Sequence, residues 1–438
     1  MQHDWIEMAR NTVRAWQCDH LGHMNVQFYI ARLADAGMLA MNGLGLTVKE
    51  ADARRINAAT VSQKLEYRRE LRAGDLIAIE SRILEQAGKK LRLAHRLRNV
   101  VSGDICFEAE VLYVGIDLDA RRSVDLPVGL PPLPPLPDGL PPLTTERSCI
   151  QTWECDLMGH MNIQFYMSRA TAADAHVALA LGVEPARLRA DGGGFTPVSH
   201  RILFRRELHS GGSTLIRSGV RGVDGDIVRW HHDIRDPETG AQGAVFETAA
   251  RYIDMKTGAP LPLPEAVRSR AGELAAQWTP PPLPKPLTPA LPEAPPPGAV
   301  DTFRGAFESW ELDHFGRPAP QFYMPRFITG AQLLTAHFGW PFKARLARGW
   351  GSAALDYEIR YHRPPADGET LVARSGFVAL GDKASRFCHW FTGSDSDEVH
   401  VSADVTTVWF DLKARRAVPL PAEFRAVVEP HLLLPPAP

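Results

Sequence analysis

The string Asp19-His20-Leu21-Gly22-His23-Met24-Asn25-Val26-Gln27-Phe28-Tyr29 returns at Asp156–Tyr166 and, altered, at Asp313–Tyr323. This repetition constrains the fold more than any other feature of the chain. Spacing is held without a gap: Asp19, Gly22, Gln27, Phe28, Tyr29, Arg32 and Gly45 recur as Asp156, Gly159, Gln164, Phe165, Tyr166, Arg169 and Gly182, and again as Asp313, Gly316, Gln321, Phe322, Tyr323, Arg326 and Gly339. The anchor aspartates stand more than a hundred residues apart, too far for solenoid repeats of about 20–50 residues. Each copy therefore reads as a domain. The chain length of 438 residues agrees with three units of roughly 100–200 residues, each large enough to bury its own core.

Two proline-rich stretches interrupt the pattern, PPLPPLPDGLPPL within residues 126–143 and PPPLPKPLTPALPEAPPP within residues 262–299. Both suit extended polyproline II spacers. They leave a first domain at 1–125, a second at 144–261 and a third at 300–438. Within each, the order reads as a short strand, the Asp/Gly turn, one long apolar helix and four strands. From Val26 to Met41 there is no proline, and Phe28, Tyr29, Leu33, Ala36, Ala40 and Met41 recur at helical spacing with few charges, so this helix should be largely buried. A helix buried in this way needs a sheet around it. Strand signals follow: Leu91, Leu93, His95 and Leu97 alternate with Arg92, Ala94, Arg96 and Arg98, and Val228, Trp230, His232 and Ile234 alternate with Arg229, His231 and Asp233, the pattern of half-buried antiparallel strands. Each unit closes on a similar tail, IDLDARRSVDLP, IDMKTGAPLPLP or FDLKARRAVPLP.

A formal net charge of −2 with both signs interspersed provides no field to gather polyanions, so a nucleic-acid partner is not expected. The N-terminus lacks a basic stretch followed by an apolar one, and no apolar run approaches the ~18 residues that cross a bilayer; a cytoplasmic protein without a membrane partner is expected. The five cysteines, Cys18, Cys106, Cys149, Cys155 and Cys388, form no C-x-x-C pair and read as free thiols.

The fitted motif W-x-x-D-x-x-G-H-M-N-x-x-x-Y resembles the hotdog fold of the 4-hydroxybenzoyl-CoA thioesterase type. Asp19, Gly22, His23, Asn25 and Tyr29, and their counterparts Asp156, Gly159, His160, Asn162 and Tyr166, match the family's D-x-x-G-H-[VM]-N-x-x-x-Y. The resemblance implies an α+β chain of three tandem hotdog domains, each a long central helix wrapped by a five-stranded antiparallel sheet. It also implies acyl-CoA thioester hydrolysis without a cofactor. Asp19 and Asp156 would attack the thioester carbonyl or activate water, and the backbone N–H of Val26 or Ile163 would hold the oxyanion.

Elementary chemistry supports that assignment. A helix N-terminus presents unpaired N–H groups and the positive end of the macrodipole, which suit an oxygen that becomes negative during acyl transfer. Glycine at 22 lets the turn close, and a carboxylate placed there can act as base or nucleophile. His23, His160, Asn25 and Asn162 offer hydrogen bonds to the carboxylate or, for the asparagines, a helix cap. Arg68, Arg69, Arg205 and Arg206 are candidates for the phosphates of a CoA carrier. Metal is not expected, because Leu157 replaces His20 in the second copy.

In the third copy His becomes Arg317, Asn becomes Ala319 and the oxyanion position becomes Pro320. Proline has no N–H yet suits a first helical turn, so the third domain is expected to be a structural or regulatory copy. Related units pair through their sheets. The simplest expectation is domain 1 with domain 2 inside the chain and domain 3 with its counterpart in a second chain, a homodimer through domain 3. Two rival readings are a non-catalytic acyl-CoA sensor and a hotdog hydratase or dehydratase; the D-x-N-P-x-H arrangement of the latter does not occur in the chain.

Overall fold

The computed structural model describes residues 4–127, 130, 133–282 and 291–433. The first repeat contains β1 (Ile6–Thr12), α1 (Val26–Gly43), α2 (Val48–Arg54), β2 (Ile56–Tyr67), β3 (Leu76–Ala87), β4 (Lys90–Asn99) and β5 (Ile105–Asp117). The second contains β6 (Leu143–Cys149), α3 (Ile163–Ala180), β7 (Gly193–Phe204), β8 (Ser213–Asp224), β9 (Ile227–Arg235), β10 (Gln242–Asp254) and α4 (Glu265–Ala275). The third contains β11 (Val300–Gly305), α5 (Tyr323–His337), α6 (Phe342–Ala347), β12 (Trp350–Tyr361), β13 (Leu371–Leu380), β14 (Ala384–Gly393), β15 (Val399–Asp411), β16 (Arg416–Ala417) and α7 (Ala422–Val428).

All strands join one antiparallel sheet, in the order β11-β13-β14-β15-β12-β7-β10-β9-β8-β6-β1-β3-β4-β5-β2, with β16 beside β15. Long helices lie against this sheet for the reason visible in their sequences. In α1, Tyr29, Leu33, Ala36, Leu39 and Ala40 are buried, and the matching stripe of α3 buries Tyr166, Met167, Ala170, Ala173 and Val177. These positions fall three and four apart, on one face of a helix. No described helix is long and apolar enough to cross a membrane.

The way the repeats join differs from the expected arrangement. Repeats 2 and 3 are the pair that meets along long strands: β7 runs beside β12, with Leu203 opposite Asp356, Arg201 opposite Glu358 and Ser199 opposite Arg360. Arg201 binds Asp356 at 2.8 Å, the His200 ring lies 3.1 Å from the Tyr361 hydroxyl, and one hydrophobic core runs through both repeats, from Tyr166 and Phe246 to Phe327 and Tyr357. The expected pairing of domain 1 with domain 2 is therefore corrected: the long strand of repeat 2 pairs with that of repeat 3 within the chain. Repeats 1 and 2 meet through their short first strands, where Arg10 faces Arg147. Crossing hydrogen bonds reinforce that seam: Thr12 donates to the Ala172 carbonyl at 3.0 Å, Gln151 to Asp35 at 2.7 Å and Asn42 to Glu238 at 2.7 Å.

A second correction concerns the stretch 262–299, expected to be an extended spacer. Residues Glu265–Ala275 form α4, with Val267, Ala271 and Leu274 buried. Their i, i+4, i+7 spacing is an amphipathic signature that the surrounding prolines obscure. Residues 128, 129, 131, 132 and 283–290 of the two proline-rich stretches lie outside the described residues.

Glu238 gives the seam between repeats 1 and 2 a pH dependence. Burial pushes its carboxyl up to about 7, with Asp236 adding to the shift. A raised folded-state pKa favours the folded chain while the group is protonated; that contribution is complete below the ordinary carboxylate range and is lost as pH rises through about 7. Glu238→Gln keeps an acceptor for Asn42 and Ser213. The variant should melt higher than wild type at pH 8 and indistinguishably from it at pH 5, as read by thermal unfolding at both pH values.

Candidate active site

One turn is built three times. Asp19 Oδ1 accepts from the amides of Leu21 at 2.9 Å and His23 at 3.1 Å. Asp156 Oδ1 accepts from Met158 at 2.8 Å and His160 at 3.0 Å, and Asp313 Oδ1 from Phe315 at 2.8 Å and Arg317 at 3.0 Å. Gly22, Gly159 and Gly316 take φ near +78° in these turns (79°, 78° and 77°), a left-handed conformation that side chains with a Cβ resist. The second oxygen of Asp19 and of Asp156 accepts no hydrogen bond among the described residues. The His23 amide, with that of Leu21, holds Asp19 below the ordinary carboxylate range, so this exposed group is ionised at neutral pH.

The chain then enters the long helix. Asn25 and Asn162 are the caps: each side-chain oxygen accepts from the second helical amide, Gln27 at 3.1 Å and Gln164 at 3.0 Å. This leaves the first helical amides, those of Val26 and Ile163, without a hydrogen-bond acceptor among the described residues. They are the donors expected at an oxyanion site, next to the positive end of the helix dipole. In the third repeat Pro320 opens a 3-10 turn, Pro320–Phe322, ahead of α5, and no such donor exists.

Around Asp156 the turn becomes one wall of a cavity of about 850 Å³ that also contacts Asn162, Ile163 and Tyr166. The opposite wall comes from repeat 3, where Ile328, Phe342, Leu346, Trp350 and Phe387 give it an apolar lining. Arg205 and Arg206 of repeat 2 and Arg415 and Arg416 of repeat 3 also line it. All four are exposed, and Arg205 and Arg206 form no ion pair among the described residues. Their counterparts in repeat 1 are engaged instead: Arg68 binds Glu108, and Glu66 at 3.2 Å, while Arg69 lies 3.5 Å from Asp104.

The imidazoles do not hold the carboxylates as closely as the sequence suggested. His23 Nε2 lies 2.9 Å from Glu70 and 3.1 Å from Arg72. His160 bridges two acids, with Nδ1 3.8 Å from Asp156 Oδ2 and Nε2 3.4 Å from Glu207. Glu207 in turn receives the guanidinium of Arg415 from repeat 3. His160, Glu207 and His209 offer donor atoms within 4.8 Å of one another, a set that could seat a cation, but Arg415 already neutralises the carboxylate on the same oxygen that faces His160. Tyr29 packs edge-on against Tyr67, with ring centroids 5.3 Å apart, and serves the core; Tyr166 does the same beside Phe204 while its hydroxyl accepts from the Leu208 amide at 3.2 Å.

All five cysteines are free. Burial pushes the Cys18 and Cys155 thiols up, which disfavours the thiolate and with it a nucleophilic role. Sequence reasoning missed Glu70 and Glu207 as partners of the histidines, although each directly follows an arginine pair, Arg68-Arg69 and Arg205-Arg206. It also missed Arg415, Arg416 and the whole repeat 3 wall.

The family model described as the thioesterase-like superfamily matches residues 13–137, 150–271 and 308–428. The chain belongs to that superfamily, in three tandem copies. It is similar to L-carnitine dehydrogenase/betainyl-CoA thioesterase of Agrobacterium fabrum, at 32% identity over 114 residues, 26% of this chain; the match spans 23% of that relative's length. Among solved structures, a putative oleoyl thioesterase from Lactobacillus plantarum aligns at 16% identity and a TM-score of 0.47, covering 60% of this chain and 94% of that one. The 12:0-ACP thioesterase from Umbellularia californica aligns at 12% identity and a TM-score of 0.48, covering 60% and 93%.

The cap assignment has a direct consequence. Asn162→Ala removes the acceptor for the Gln164 amide and should cost about 1 kcal/mol of stability, whereas Asn162→Asp should keep most of it; denaturant unfolding of the two variants checks this.

Proposed function

We propose that the chain is an acyl-CoA thioester hydrolase whose complete intramolecular site lies in repeat 2 and is closed by repeat 3. Each repeat is read as a hotdog domain, five strands wrapped round its own long helix, with the spacers near 126–143 and around the residues that follow α4. The observation that carries the reading is the placement of the Asp156 carboxylate and the Ile163 amide on one cavity with an apolar far wall.

A thioester carbonyl seated over the start of α3 would point its oxygen at the Ile163 N–H. Asp156 Oδ2 is the oxygen of that carboxylate left over after the turn is made. It attacks the carbonyl carbon and displaces the thiolate, leaving a mixed anhydride that a water then hydrolyses with its proton passing to the thiolate, or it takes a proton from the water that attacks and passes it to the departing sulfur; in both routes the C–S bond breaks, one water is consumed, and a thiol and a carboxylic acid are released. Negative charge grows on the carbonyl oxygen along either route, and a fixed donor at the positive end of a helix stabilises it. The Ile328, Phe342 and Trp350 side would receive the acyl chain, and Arg205 and Arg206 the phosphates of the carrier, because a guanidinium matches phosphate oxygens in a fork. A CoA thioester is also the substrate class printed in the name of the Agrobacterium relative. A sensor would need the cavity and the arginines but no carboxylate oxygen left over beside a free amide.

Repeat 1 carries the same carboxylate and the same free amide. Repeat 3 keeps Asp313 because the turn needs it, and without an amide at Pro320 it contributes a wall rather than a reaction centre. Asp19→Asn combined with Asp156→Asn should abolish thiol release across a panel of acyl-CoAs. Asp313→Asn should leave it within about twofold, a factor worth only ~0.4 kcal/mol; an equal loss from Asp313→Asn would refute the assignment. Replacing Arg205 and Arg206 together by alanine, in the Asp19→Asn background, should raise KM for acyl-CoA about tenfold, ~1.4 kcal/mol of binding, and leave KM for a short thioester without the nucleotide unchanged.

A further inference from the structure

A buried positive charge on α6 has no carboxylate partner among the described residues. Arg345 is 2% exposed, and its only polar contacts there are neutral. One guanidinium nitrogen donates to the Ser352 hydroxyl at 3.2 Å and another to the side-chain oxygen of Gln332, while Nε finds no acceptor. The guanidinium carbon also lies 5.6 Å from the centre of the Trp409 ring, which softens the burial of the charge without neutralising it. Burial lowers the Arg345 pKa, with no acid to offset that effect, yet a guanidinium stays protonated at neutral pH. A buried charge without a counter-ion is costly to keep.

The fold does not require that charge. Helices α2 and α6 begin at Val48 and Phe342, and strands β2 and β12 at Ile56 and Trp350, the same offset that separates Asp19 from Asp313. Ala51, Ala58 and Met38 of repeat 1 are therefore the counterparts of Arg345, Ser352 and Gln332. In repeat 2 the same places hold Leu188, Phe195 and Ala175. Both other repeats build these elements with apolar residues at all three positions, and the polar trio is confined to the repeat that walls the Asp156 cavity.

Gln332 and Ser352 line that cavity, and Arg345 behind them decides which of their atoms remain free. The Gln332 oxygen is the atom that can accept from a guanidinium, so its amide nitrogen is left as a donor. The Ser352 oxygen accepts in the same way, which leaves its O–H to donate. Neither donor has an acceptor among the described residues. A hydrocarbon chain lying on this wall would satisfy neither of them and would leave the charge unanswered. A carboxylate accepts from both and brings the missing negative charge, in hydrogen bonds strengthened by ionisation.

We infer that the acyl group taken by the Asp156 site ends in a carboxylate, so that the substrate is the CoA monothioester of a dicarboxylic acid. Gln332 and Ser352 bind the distal carboxylate and Arg345 neutralises it, while the apolar side chains of Ile328 and Phe342 flank the methylenes between. Hydrolysis consumes one water and releases CoA thiol and the free dicarboxylic acid. The other guanidinium groups of the cavity are less suited to this end of the substrate. Arg415 is held by Glu207, and Arg205, Arg206 and Arg416 are exposed, where a pair with a carboxylate gains little. The inference rests on the proposed hydrolysis at this site.

The test uses the full chain in the Asp19→Asn background, so that only the Asp156 site is counted. Suberyl-CoA and octanoyl-CoA have acyl chains of equal length and differ in the distal carboxylate; adipyl-CoA and hexanoyl-CoA repeat the comparison on a shorter chain. At one length or both, kcat/KM should favour the carboxylated thioester about tenfold or more, ~1.4 kcal/mol. Arg345→Met removes the charge and keeps most of the volume; it should bring that ratio to within about twofold of one and should melt no lower than its parent. Gln332→Met, which installs the residue of repeat 1, should lower the ratio as well and decides the matter if Arg345→Met fails to fold. Binding is read separately by calorimetry on the inactive Asp19→Asn/Asp156→Asn chain, where suberyl-CoA should bind more tightly than octanoyl-CoA and Arg345→Met should erase the difference. Equal or better turnover and binding of the uncharged thioesters at both lengths overturns the inference, as does a preference for the carboxylated ones that survives both substitutions. If the wild type releases thiol from none of the four, the hydrolytic reading fails, and the calorimetry still decides whether the wall recognises a carboxylate.

Discussion

The pairing of β7 with β12 is the constraint on which the rest of the molecule depends. It joins the cores of repeats 2 and 3 into one and lays the helices and tail of repeat 3 across the N-terminal end of α3. Without it the Asp156 turn would sit on an open surface, as the Asp19 turn does in a single chain. A carboxylate in open water is an ordinary base and an exposed amide an ordinary donor; on the proposed reading, the cavity wall supplied by repeat 3 lets fixed charges and dipoles act on a bound thioester with less competition from solvent. On the proposed reading, repeat 3 contributes a surface rather than a reaction of its own.

The aspartate turn serves two purposes that the three copies separate. One oxygen closes the turn in all three repeats by the same two amide hydrogen bonds, and glycine at a left-handed φ makes the closure possible. On the proposed reading, the other oxygen serves chemistry only where the helix behind it also offers a free amide. Repeat 3 retains the turn and has no such amide at Pro320. Asp156 and Asp313 look alike in sequence, and their neighbours distinguish them: Asn162 and Ile163 beside Asp156, but Ala319 and Pro320 beside Asp313.

Much of the architecture was legible because it is local. The Asp-x-x-Gly turn, the buried face of α1, and β4 and β9 with their alternating patterns are written in residues a few positions apart, and the structure shows a turn, a helix and strands at those places. Which repeat pairs with which was not legible. It depends on Arg201 meeting Asp356 and on a shared core assembled from residues far apart in sequence, and nothing in the spacing of a single copy encodes it. The same holds for the site: Asp156 and Ile163 follow from the motif, whereas Arg415 on Glu207 and the Ile328 to Trp350 wall come from another repeat. Helix α4 was hidden for a different reason, since proline-rich flanks drew attention away from the helical spacing of Val267, Ala271 and Leu274.

The most direct test of the account places the third repeat's own change in the second. Ile163→Pro, made in the Asp19→Asn background so that only the Asp156 site is counted, removes one amide hydrogen at a position where proline is compatible with a helix start. The account predicts that kcat for thiol release from an acyl-CoA falls about 100-fold or more, the usual effect of losing one oxyanion donor, with an unchanged melting temperature. Activity within threefold of the Asp19→Asn parent, in a variant that melts like the parent, would contradict it.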